Sequence, residues 1–207
     1  MFDIGPDFRQ QMLTHGVDHL DAILITHAHR DHVGGLDDIR SFNYVQHRKM
    51  DIYSNAQAAQ AISRDYHYIF EPHVYPGLPE AELHVVDADF VIQPAGLKVV
   101  PIRVMHMDLP VLGYRIGPLA YITDANAIAP SEMEKLDGVD VLVINALRKE
   151  RHFSHFCLPE ALDVIARVKP RRAYLTHISH EMGLHAEVAK ELPAGVSLAF
   201  DNEEVEI

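Results

Sequence analysis

The sequence predicts an α/β fold in which sheets are sandwiched by helices, as one domain over residues 1–207. Three observations carry this. Short apolar runs alternate with amphipathic segments, giving β–α–β units at both ends and a run of strands at about residues 82–123. The proportions are globular, 48% hydrophobic and 23% charged, which argues against disorder or coiled coil. No repeat, low-complexity tract or long Gly/Ser linker marks a boundary.

The elements follow in chain order. Asp7 is placed to cap a helix that stops at Gly16. Leu20–Thr26 (LDAILIT) is a buried strand. Asn55 caps a helix over Ala56–Arg64, and Asp65–Pro79, aperiodic and rich in aromatics and proline, is a loop or lid. Leu97–Val104 is a strand whose Pro101 implies an edge or bulge. Leu119–Thr123, Val139–Asn145, Arg172–Thr176 and Val196–Phe200 are further strands. Pro159–Val168 is a helix with proline near its start and Lys169-Pro170 at its end, and His185–Leu192 is another.

Composition narrows the function. No apolar run reaches the roughly 18 residues needed to span a bilayer, and the N-terminus lacks the pattern of a signal peptide. The single cysteine, Cys157, excludes a disulfide within the chain and suits the cytoplasm. A net charge of −12 opposes large nucleic acids and anionic membranes as partners. Histidine is the odd number: there are 15, with no tryptophan. Neutral imidazole is the commonest metal ligand, so an acidic, histidine-rich chain suggests bound metal.

The specific signal lies directly after the first strong strand, in His27-Ala28-His29-Arg30-Asp31-His32. Positions i and i+2 on a loop leaving a strand can reach one metal. The Asp and His at i+4 and i+5, where the chain turns into a helix, can reach a second. Imidazole and carboxylate donors suit Zn²⁺, Mn²⁺ or Fe. Gly34-Gly35 lets backbone pass close to that loop.

This HxHxDH resembles the signature of the metallo-β-lactamase-fold hydrolases, whose αββα sandwich the resemblance implies. The family's other ligands stand at strand ends. By resemblance His106, after LKVVPIRVM, is the third histidine on the first metal; Asp124, ending AYITD, bridges both; and His177, ending RAYLTH, completes the second, with His180 as its rival. The implied centre holds two Zn²⁺ or Mn²⁺ ions: His27, His29 and His106 on one, Asp31, His32 and His177 on the other, Asp124 shared. Its bridging water would lose a proton near neutral pH and act as nucleophile, oriented by Asp31.

Within the family the chain is most similar to the cyclic phosphodiesterases of carbon–phosphorus lyase pathways and their relatives. LTHISH (Leu175–His180), the LGYR after His106 and Arg151-His152-Phe153-Ser154-His155 carry that likeness. It implies a small anionic phosphodiester substrate, a cyclic phosphate or nucleotide, and gives His155 the part of general acid or phosphate contact, with His152 weaker for the same task. Lactone or carboxylic ester hydrolysis is the alternative chemistry, and a metal-binding protein without turnover the alternative class. Arg148, Lys149 and Arg151 could draw an anion inward; Tyr66, Tyr68, Phe70 and Tyr75 could wall a pocket or anchor their loop. Ahead of Asp3-Ile4-Gly5 either the family's usual first strands are absent or the chain is a shortened one, which would leave a sheet edge open and apolar surface exposed; a homodimer is a candidate assembly.

Overall fold

The computed structural model describes residues 1–71, 75, 77–92 and 95–207. His73 and most of the middle of the Asp65–Pro79 segment therefore lie outside the described residues. The chain forms two compact units, Met1–Lys98 and Val99–Ile207.

The first unit runs α1 (Phe8–His15), β1 (Ala22–Leu24), α2 (Arg30–Val33), α3 (Ile39–Gln46), β2 (Met50–Ser54), α4 (Ala56–Asp65), α5 (His67–Phe70), β3 (Ala81–Val85) and β4 (Phe90–Ile92). Strands β1, β2 and β3 form a parallel sheet in that order, with Ile23 opposite Ile52 and Ile52 opposite Leu83. Ile23, Ile25, Ile52, Leu36, Ile39, Phe42 and Phe8 fill its core. Helix α1 ends where expected, with Gly16 in the left-handed region, yet Asp7 makes no side-chain cap bond. Asn55 does cap α4, its side chain accepting from Ala58 N at 2.8 Å. The segment expected as a loop after Asp65 begins with the short helix α5. Tyr66 at its start is buried and donates to Val33 O, so the beginning of this stretch is anchored on the core.

The second unit contains β5 (Leu97–His106, which begins at the boundary), β6 (Leu109–Ile116), β7 (Leu119–Ile122), β8 (Ala127–Ile128), α6 (Pro130–Met133), β9 (Val141–Asn145), α7 (Leu158–Val168), β10 (Arg172–Thr176), α8 (His185–Val188) and β11 (Val196–Leu198). Its sheet runs β11-β10-β9-β7-β6-β5, with β8 against β5. The β5–β6 and β6–β7 pairs are antiparallel, and β7–β9, β9–β10 and β10–β11 are parallel.

Pro101 explains its own place. Arg103 N donates to the buried Glu132 carboxylate at 2.8 Å, and Pro101 O accepts from Lys135 Nζ at 2.9 Å. On this stretch of β5 the side away from β6 is met by side chains, so a residue without N–H costs the ladder nothing. Helix α7 buries Leu158, Ala161, Val164 and Ile165 at helical spacing. It starts with Cys157 and Glu160 in a reciprocal capping box and stops at Lys169 in the left-handed region. Among the described residues no helix is long and apolar enough to cross a membrane.

Candidate metal centre

In the first unit the sequence motif becomes a cluster of side chains. His27 follows β1, His29 precedes α2, and Asp31 and His32 lie on α2's short turn. His27 Nε2 faces His29 Nδ1 at 2.9 Å, the His27 and His32 rings lie 4.2 Å apart, and His32 Nε2 is 3.3 Å from Asp31 Oδ2. His27 and His32 are buried, while His29 and Asp31 reach solvent.

A residue that sequence reasoning left unassigned holds this cluster. Asp3 is buried with φ 49°, a backbone conformation uncommon outside glycine. Its Oδ1 accepts from Thr26 N at 2.8 Å; its Oδ2 accepts from Thr26 Oγ1 at 3.0 Å and from His32 Nδ1 at 2.8 Å. The Thr26 hydroxyl, its proton given to Asp3, accepts in turn from His27 Nδ1 at 3.0 Å. One carboxylate therefore sets both rings in the tautomer whose Nε2 carries the lone pair, the form that binds metal. Burial pushes the Asp3 carboxyl up, and the bonds from His32 and Thr26 oppose that shift. The legible signal was Asp3-Ile4-Gly5 itself. Ile4 N donates to His32 O and Gly35 N to Ile4 O, lacing this segment to the motif. A Cβ on Gly5 would sit 2.6 Å from Asp31 O, and one on Gly35 2.5 Å from Gly5 O, so both positions need glycine for close approach.

In the second unit the expected residues come from three strand ends. His106 closes β5, and its Nδ1 donates to Ser154 O at 2.9 Å, leaving Nε2 as the lone-pair nitrogen. Asp124 and His177 follow β7 and β10 with φ 56° and 54°. Their side chains meet, Oδ1 to Nδ1, at 3.1 Å, and Thr123 Oγ1 donates to Asp124 Oδ1 at 2.7 Å. Asn145 holds the turn beyond Asp124: its Oδ1 accepts from Ala125 N at 2.9 Å and its Nδ2 donates to Ala125 O at 3.0 Å. Asp124 offers a carboxylate oxygen within 4.8 Å of a ring nitrogen of His106, and one within 4.8 Å of a ring nitrogen of His177. His180 is exposed on a separate short 3₁₀ turn and joins no such group among the described residues.

His155 lies among these ligands, its ring 4.6 Å from that of His106, 4.9 Å from that of His177 and 5.2 Å from that of His152. Its Nδ1 is buried with no hydrogen-bond partner among the described residues. Burial lowers its pKa to about 4, so the ring is neutral at pH 7. His152 is half-buried, with Nδ1 facing the Ser154 hydroxyl at 3.3 Å.

Other candidates take structural parts. Arg148 pairs with Glu181 and Lys149 with Glu191, each at 2.6 Å, so two of the three charges of the basic run are neutralised locally. Tyr66 and Tyr68 hydrogen-bond within their own unit, to Val33 O and Asp37. A third group, Asp51, Glu82 and His84, also gathers ligand atoms within 4.8 Å, but Arg48 and His84 already pair with Asp51.

The donor chemistry fits divalent ions. Imidazole nitrogens with oriented lone pairs and a carboxylate reaching two histidines are the ligands Zn²⁺ and Mn²⁺ accept. Such donors at strand ends, on one parallel and one mixed sheet with helices beside them, define a chain of the metallo-β-lactamase fold. The chain belongs to the Beta-lactamase superfamily, whose domain profile matches residues 1–178. It is similar to a diphosphatase from the PhnP family, with 35% identity and a TM-score of 0.89, covering 100% of this chain and 79% of that one. It is also 42% identical over 202 residues to the octanoyltransferase of Porphyromonas gingivalis (strain ATCC BAA-308 / W83), which covers 97% of this chain. The chain spans only 41% of that relative's length. Zn²⁺-bound PqqB from Methylobacterium extorquens shares the fold at 18% identity and a TM-score of 0.73, over 100% of this chain and 82% of that one. The metallo-β-lactamase fold class expected from the motif is thus the one the chain belongs to.

Proposed function

We propose that the chain is a dinuclear metal-dependent phosphodiesterase acting on a small anionic substrate, the two units working as one hydrolase domain. His27, His29 and His106 would hold one ion, Asp31, His32 and His177 the other, and Asp124 both. The observation that carries this reading is Asp124: a buried carboxylate on a strained backbone, with oxygens in reach of a histidine from each set. Two divalent ions held so would supply an activated water and positive charge against a phosphoryl oxygen. The chain's own residues do the rest. Asp3, directly for His32 and through Thr26 for His27, keeps two ligand rings in the binding tautomer. Asp31, the most exposed ligand carboxylate, is placed to accept a proton and orient the nucleophile. Burial favours the neutral form of His155, so it would contact the phosphate as a neutral imidazole and would act as an acid only after taking up a proton from solvent.

Phosphoryl chemistry is favoured by the likeness to a protein named a diphosphatase, of which the chain covers 79%. Acyl ester hydrolysis is the second reading, favoured by the name octanoyltransferase on a relative of which it covers 41%. Zinc or manganese is the proposed metal. A cytoplasmic setting suits the one buried thiol, Cys157, whose pKa burial raises. The deciding experiment is a panel of bis-aryl phosphates, 2′,3′-cyclic nucleotides, lactones and thioesters, run on protein of known metal content. Turnover of phosphodiesters above the others supports the proposal, and turnover confined to acyl substrates overturns it.

A further inference from the structure

The second unit spends stability on two apolar side chains beside its ligands. Phe153 is 69% exposed and Met107 is 52% exposed. Met107 follows the ligand His106 in the two-residue turn between β5 and β6, where His106 pairs with Leu109. Its φ is 56°, a conformation that favours glycine at this turn position. A methionine there carries strain and shows its side chain to water, neither of which helps the free fold. Phe153 lies between His152 and the His155 loop, its ring 4.4 Å from that of His152.

One side chain ties the two together. Asn126 Oδ1 accepts from Met107 N at 3.0 Å, and Asn126 Nδ2 donates to Phe153 O at 2.8 Å. Asn126 N itself donates to Met105 O at 2.8 Å, so the clamp is fixed to β5. Asn126 is two residues beyond Asp124, and the loop it holds carries His155, whose ring contacts those of His106 and His177. The same device that shapes the ligand loops therefore presents an aromatic face and a thioether at their rim.

Resting on the phosphodiesterase reading, we infer that Phe153, with Met107, is a specificity-determining platform that receives a planar aromatic substituent of the substrate, an aryl group or nucleobase attached to the phosphate. A Phe face stacks on any such ring, and methionine sulfur adapts to its edge. The occupant is a ring on the substrate rather than a second copy of the chain, because Met107 directly follows the ligand His106 and Phe153 lies two residues before His155, whose ring is 4.6 Å from that of His106.

Bis(4-nitrophenyl) phosphate and methyl 4-nitrophenyl phosphate share a leaving group and differ only in the group left behind. Phe153→Ala should raise KM for the diaryl ester roughly tenfold, by the loss of one stacking contact, and leave KM for the methyl ester within about twofold. Phe153→Tyr should restore the difference. Met107→Gly should be at least as stable as the parent, since it relieves the turn, yet weaken the diaryl ester selectively. Equal shifts for both esters, or none, overturn the inference. So does a loss of self-association in Phe153→Ala with KM unmoved. If the parent cleaves neither ester, the phosphodiesterase reading fails by itself, and the platform is read by binding. The chain has no tryptophan and eight tyrosines, so Phe153→Trp supplies a single tryptophan that can be excited selectively at the red edge of the absorption band. Adenosine monophosphate should quench it in zinc-equilibrated protein and inorganic phosphate should not; no quenching by the nucleotide overturns the platform.

Discussion

The two units hold their candidate ligands by different means. In the first, four donors lie within six residues of one strand-to-helix loop, and a single buried carboxylate, Asp3, orients the His32 ring directly and the His27 ring through the Thr26 hydroxyl. In the second, His106, Asp124 and His177 come from three separate strand ends and are held by separate contacts: the Ser154 carbonyl on His106, the Thr123 hydroxyl on Asp124, and the Asn145 side chain clamping Ala125 beyond it. A local motif can be fixed by one side chain. A scattered set depends on sheet register, because β7, β9 and β10 must pair as they do for Asp124 and His177 to meet.

That contrast can be broken in order of expected effect. Asp31→Ala removes the proposed proton acceptor and a ligand together, so turnover should fall on the order of a thousandfold and one metal should be lost from each chain. Steady-state kinetics alongside elemental analysis checks this, and retained turnover would contradict the assignment. Asp3→Ala leaves every ligand in place but unfixes two rings. Metal affinity should drop roughly 10- to 100-fold in a chelator competition. Asn145→Ala in the other unit frees Ala125 N and O, so its main cost should be stability, about 1–3 kcal/mol in urea unfolding. If Asn145→Ala weakened metal binding more than Asp3→Ala, the proposed division of labour would be reversed.

The His155 ring gives a pH test on metal-free protein. Its pKa falls from 6.5 in the unfolded chain to about 4 in the fold, so below pH 6.5 the unfolded state takes up the proton first. Stability from this group is present above that value and is lost as pH falls toward 4. His155→Phe should flatten that part of the profile, and an unchanged slope would count against burial as the cause. The smallest effects should come from the caps. Asn55→Ala in α4 and Glu160→Ala in α7 should each cost about 0.5–2 kcal/mol without altering metal content.

The sequence makes the first unit's ligands legible and the second's only by resemblance. HxHxDH is contiguous, so its chemistry shows in residue spacing. His106, Asp124 and His177 are each one polar residue after an apolar run, and nothing local separates them from an ordinary strand end. The structure adds a feature that spacing lacks: Asp3, Asp124 and His177 adopt positive φ without being glycine, as do His47, Met107, Lys169 and Asn202 among the described residues. Asp3 stayed unassigned because its partners, Thr26 and His32, lie across the parallel bridge between Phe2 and Leu24. Helix α3 and strand β2 also escaped the sequence reading. Asp51 and Tyr53 alternate with buried Met50, Ile52 and Ser54 on too short a stretch to announce a strand. The pairing of the basic run is likewise invisible in a linear reading, since Glu181 and Glu191 come from far along the chain to meet Arg148 and Lys149.

The central claim is that seven residues from the two units serve one dinuclear centre. Elemental analysis of protein equilibrated with zinc and then dialysed tests it most directly, on the parent chain and on Asp124→Ala. The account predicts about two metals for each parent chain and weaker retention of both ions in the variant, because Asp124 is shared. One metal or none in the parent, or a variant that loses a single ion and keeps the other at parental affinity, would contradict it.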